Sequence, residues 1–60
     1  MDKTEARKIV MDASRKAIAI YRVRENPPAR PTQAYFDRQC EFINAYIAEN
    51  VPEETRRAAV

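Results

Sequence analysis

Two stretches with helical periodicity are separated by Pro27-Pro28-Ala29-Arg30-Pro31, in a chain of 60 residues that contains no glycine. That combination constrains the fold more than anything else here. A run of three prolines within five residues holds the connector extended and cannot continue a helix. The chain is therefore expected to be all-α: a helical hairpin of two antiparallel helices, with a short helix or tail after them.

The first helix is expected over residues 3–25. Ala6, Val10, Ala13, Ala17 and Ile20 recur at steps of four and three, with Ile9 beside them, which is the spacing of an apolar helix stripe. Ile18, Tyr21 and Met11 widen the apolar arc to roughly half the circumference, more than one neighbouring helix covers. Small residues at 6, 13 and 17 permit close approach of a second helix. Asp2 or Thr4 suits the N-cap. The stretch Tyr21-Arg22-Val23-Arg24 also alternates in the manner of a strand, but no second strand pattern exists to pair with it. Residues 26–32 form the connector, ending on Thr32 as the next N-cap.

The second helix is expected over residues 33–50. Phe36, Cys40, Ile43 and Ile47 make one four-three-four row, and they are assigned to the core with Ile9, Val10, Ala13, Ala17 and Ile20. Tyr35, Phe42 and Tyr46 make a second row beside it. With Ile18 and Tyr21 they are expected to border the core and to form a dimer or partner-binding face, because tyrosine buries a ring while leaving its hydroxyl wet. Val51-Pro52 ends this helix. Pro52-Glu53-Glu54 resembles a new helical start, so residues 52–60 are expected to be a short helix or a tail.

Size sharpens the expectation. A domain this small buries only about 60% of the surface its unfolded chain exposes. A hairpin with a surplus apolar arc is expected to complete its core against another molecule, most simply as a homodimer in a four-helix arrangement. Charge is unevenly spread. Residues 1–30 carry eight Lys/Arg against four Asp/Glu, and residues 31–60 carry three against five. Such a split favours antiparallel pairing between copies.

Catalytic and cofactor signatures are absent. Phosphate-cradling loops need glycine, and the commonest general base needs histidine, of which there is none. Cys40 lies on an apolar row, where a small packing residue is expected rather than a nucleophile. Asp37 and Glu41 share a face but have no further metal-type ligand nearby. No cofactor, metal or small-molecule substrate is expected. The single cysteine forms no internal disulfide and suits a reducing, cytoplasmic setting. The N-terminus reads as neither a signal peptide nor a membrane span.

The expected function is a non-enzymatic protein–protein interaction module, such as a small inhibitor, adaptor or regulatory subunit. The alternative is a nucleic-acid-binding regulator. Lys8, Arg15 and Arg22 recur every seven residues along the polar side of the first helix and could track phosphates. Acids at i−3 and i−4, namely Glu5 and Asp12, offer local partners for several of these charges. The spacing of Pro28 and Pro31 also fits a proline-rich docking peptide.

Overall fold

A computed structural model describes all 60 residues. It consists of α1 (Lys3–Arg24), α2 (Gln33–Asn50) and α3 (Glu53–Ala58), with no strand. The molecule is a hairpin of α1 and α2. The third, short helix folds back onto α1.

The ends of the helices follow from local chemistry. Asp2 caps α1, its Oδ1 accepting from the Glu5 amide at 2.8 Å, and Thr32 caps α2, its Oγ1 accepting from the Tyr35 amide at 3.2 Å. Each satisfies an amide that has no partner within its helix. No residue has a positive φ. The two long helices therefore close without the left-handed turn that usually ends a helix. Glu25 and Val51 instead leave in extended geometry, at φ −121°, ψ 91° and φ −115°, ψ 124°. Pro27 and Pro52 follow closely. Proline pushes its predecessor out of the helical region, which is why Val51 and Asn26 lie outside their helices.

The seam between α1 and α2 differs from the sequence expectation. On α1 it is built from Ala13, Ala17 and Tyr21, all buried. On α2 it is built from Tyr35, Gln39, Phe42 and Tyr46. Tyr35 and Gln39 are buried, while Phe42 and Tyr46 are half-buried. The row assigned to the core, Phe36, Cys40, Ile43 and Ile47, is rotated out of the seam. Phe36 is 45% exposed, Cys40 is exposed, and the two isoleucines are half-buried. The physical reason is complementarity of size. Alanines on α1 leave a shallow trough, and protein interiors tolerate few voids. The rings of Tyr35, Phe42 and Tyr46 fill that trough. Ile9, Val10 and Ile20 flank the seam half-buried.

At the far end, α3 seals the first turns of α1. Ala6 is fully buried there, as are Val51 and Thr55 to within a few per cent. The Arg7 Nε–H donates to the Ala59 carbonyl at 3.1 Å, and the Arg56 Nε–H donates to the Val51 carbonyl at 3.2 Å.

Candidate functional site

The surface most able to act is the side of the hairpin that the seam leaves open. A helix turns about 100° per residue, so side chains at known offsets from the seam can be placed around each axis. On α2, Ile43, Phe36, Ile47 and Cys40 lie about 70° to 130° from the seam in one rotational sense. On α1, Ile18 and Met11 lie about 105° to 125° away in the same sense. Because the helices run antiparallel, equal rotations bring both sets to the same side of the hairpin. The opposite side confirms the geometry: Ile20 of α1 lines one shallow depression with Phe42, Ala45 and Glu49 of α2, all of which are rotated the other way.

The open side is thus a continuous apolar strip formed by Met11, Ile18, Phe36, Cys40, Ile43 and Ile47. Met11 is 54% exposed, and the isoleucines are half-buried. Ser14 within it satisfies its hydroxyl on its own helix by donating to the Val10 carbonyl at 2.9 Å, and at its α3 end Arg7, one turn before Met11, is bonded to the Ala59 carbonyl. No large side chain anywhere in the molecule is fully buried.

The residues expected to form a partner face are distributed differently. Tyr21 and Tyr35 are 6% and 5% exposed and form the inside of the seam rather than a presented surface. Their rings lie 5.5 Å apart, and Phe42 stands 5.5 Å from Tyr21. The Tyr35 hydroxyl donates to the Glu25 carbonyl at 3.3 Å, tying α2 to the connector. Phe42 and Tyr46 remain partly accessible on the side away from the open strip, 6.4 Å apart. The Arg24 guanidinium lies over Phe42 at 5.5 Å, an arrangement favoured by the ring's negative face. Ile18 belongs to the open strip.

The basic row Lys8, Arg15 and Arg22 is exposed along the outer edge of α1. The local pairings that spacing allows with Glu5 and Asp12 do not form; the only ion pair is Arg57 with Glu53 at 2.8 Å. Asp37 and Glu41 lie on the outer edge of α2, exposed, with Asp37 Oδ1 accepting from the Gln33 side-chain Nε2 at 2.9 Å. No three potential metal ligands gather anywhere. The connector prolines are exposed. No helix is long and apolar enough to cross a membrane.

The aromatic seam was missed from sequence because Gln39 interrupts the row of 35, 42 and 46. The signal that could have found it is the run of alanines on α1, which needs large residues opposite. Comparison with protein-family models, with curated proteins and with solved structures returns no match.

Proposed function

We propose that this chain is a non-enzymatic protein–protein interaction module, which works by laying the open side of its hairpin on another protein surface. The observation that carries the reading is the apolar strip of Phe36, Cys40, Ile43, Ile47, Ile18 and Met11 outside the seam, in a molecule with no fully buried large side chain. Apolar surface removed from water contributes about 25 cal/mol per Å², and this hairpin keeps much of it outside its own core. Small inhibitors, adaptors and regulatory subunits act by such occupancy. A free thiol at Cys40 fits the reducing cytoplasm.

The test is Ile43→Glu, which places a carboxylate in the middle of the strip without entering the seam. The helical circular-dichroism spectrum should persist, while association with protein, whether with itself or with a partner recovered from native lysate, should be lost. A folded Ile43→Glu that keeps every association overturns the reading.

A second reading has one observation in its favour. Lys8, Arg15 and Arg22 stand exposed and unpaired at seven-residue spacing, as a nucleic-acid-binding edge requires. It predicts that the Ile43→Glu protein still binds mixed DNA or RNA, with an affinity that falls steeply as salt rises. Absence of binding at low salt removes it.

A further inference from the structure

Resting on the association reading above, we propose that the molecule covering the open side is a second copy of this chain, with α1 of one copy laid on α2 of the other. The two-fold axis then runs parallel to the helices, and every neighbouring pair of helices is antiparallel.

Charge selects both the occupant and the orientation. Beside the open side, the outer edge of α1 carries Lys8, Arg15 and Arg22 and the outer edge of α2 carries Asp37 and Glu41, while Lys16, Arg24 and Glu49 lie toward the opposite side. Two hairpins packed through their open sides by a two-fold axis have two antiparallel solutions. In one, α1 lies on α1 and α2 on α2, and the cations of the two basic edges face each other. In the other, α1 lies on α2 twice, and each basic edge meets an acidic one. Opposed like charges across an interface are costly, and complementary ones fix the register. At physiological ionic strength charges interact over about 8 Å, the distance between neighbouring helices.

The levels along the axis agree. Tyr21 sits between Tyr35 and Phe42, and Ala13 shares a depression with Tyr46 and Val51. Cys40 is therefore level with the turn of α1 that holds Ile18 and Arg22. An axis parallel to the helices preserves those levels. It sets Phe36, Cys40 and Ile43 against Ile18 of the second copy, and Arg22 beside the edge of the second copy that bears Asp37. The dimer would leave Phe42 and Tyr46 displayed on its two outer sides.

The experiment combines sedimentation with cross-linking. Under reducing conditions the wild-type protein should sediment as a dimer. In an Arg22→Cys variant, residue 22 and Cys40 lie on opposite outer edges of one hairpin, too far apart to bridge within it, but they meet across the proposed interface. A disulfide needs Cβ atoms about 4 Å apart. Mild oxidation should convert that variant to a covalent dimer joined through 22 and 40, identified by peptide mapping, while wild type with Cys40 alone should not cross-link. A bond between the two Cys40 side chains, or a dimer in which 22 and 40 fail to join, overturns the orientation. A monomer at high concentration overturns the second copy as occupant. Loss of a different captured protein in Ile43→Glu would, in that last case, still uphold the association reading, so the two failures are separable.

Discussion

At the connector end of the hairpin three rings, Tyr21, Tyr35 and Phe42, stand between the helices with centroids 5.5 Å apart in each neighbouring pair. At the other end, where α3 lies on the first turns of α1, the buried residues are Ala6, Thr55 and Val51. The first end is held by volume: large rings against alanines, with dispersion and burial spread over many atoms. The second end has little volume to bury and is held by direction. Arg7 reaches the Ala59 carbonyl and Arg56 the Val51 carbonyl, each supplying a donor to a carbonyl near a helix end that its own helix leaves unpaired. A chain of this length lacks the material for two aromatic cores. It spends its rings where the connector must be anchored and relies on close backbone approach elsewhere.

The largest test of that contrast removes a ring. Tyr35→Ala deletes a side chain that is 5% exposed and also the hydroxyl bonded to the Glu25 carbonyl. Losses for a buried aromatic run about 3–5 kcal/mol. A 60-residue domain has roughly 3–9 kcal/mol of stability in total. Thermal or urea denaturation should show most of the cooperative transition gone. A loss below about 1 kcal/mol would mean that the rings do not hold this end.

The converse change tests the narrow end. Ala6 is fully buried, at the contact between α1 and α3. Ala6→Leu must either displace α3 or strain the rotamer, at a cost of about 1–3 kcal/mol. Because α3 is short, displacement is the expected result: hydrogen exchange should accelerate across residues 53–58 while α1 and α2 keep their protection. Uniform loss of protection would instead show that the two ends melt as one unit and that the contrast between them is only descriptive.

The same contrast explains what could be read from sequence. The helix boundaries were legible because Asp2, Thr32, Pro27 and Pro52 act through local backbone chemistry that needs no tertiary context. The pairing of faces was not. Apolar counting favours Phe36, Cys40, Ile43 and Ile47 over a row containing Gln39, yet the latter row is the one in the seam. The pairing of faces is a property of the two helices together, here three rings of α2 set on Ala13, Ala17 and Tyr21 of α1, and neither stripe shows it alone. That misassignment exchanged the inside for the outside on α2, so the open side took the residues expected in the core. The docking of α3 was also hidden, since it rests on three small or short side chains, Ala6, Val51 and Thr55, and on one bond from Arg7 to the Ala59 carbonyl, none of which leaves a periodic trace. Ion pairs were over-read for a related reason: spacing permits Asp12 to meet Arg15 or Lys16, but exposed pairs gain too little to fix their side chains, and only Glu53 with Arg57 forms.

The smallest effect comes from an atom that sits badly in the aromatic end. The Tyr21 hydroxyl is buried and has no hydrogen-bond partner, whereas the neighbouring Tyr35 hydroxyl reaches the Glu25 carbonyl. An unsatisfied buried polar group costs about 1–3 kcal/mol relative to its hydration in the unfolded chain. Tyr21→Phe removes that cost and keeps the ring against Tyr35 and Phe42. It should therefore be neutral or stabilising by up to about 1 kcal/mol, while Tyr35→Phe, which gives up a real bond, should destabilise by about 0.5–1.5 kcal/mol. Opposite signs at two tyrosines 5.5 Å apart would establish that ring volume, and not the hydroxyl, is why position 21 holds an aromatic residue. If Tyr21→Phe instead lost 1 kcal/mol or more, the hydroxyl would have a partner in solution, and the aromatic end would depend on direction as the α3 end does.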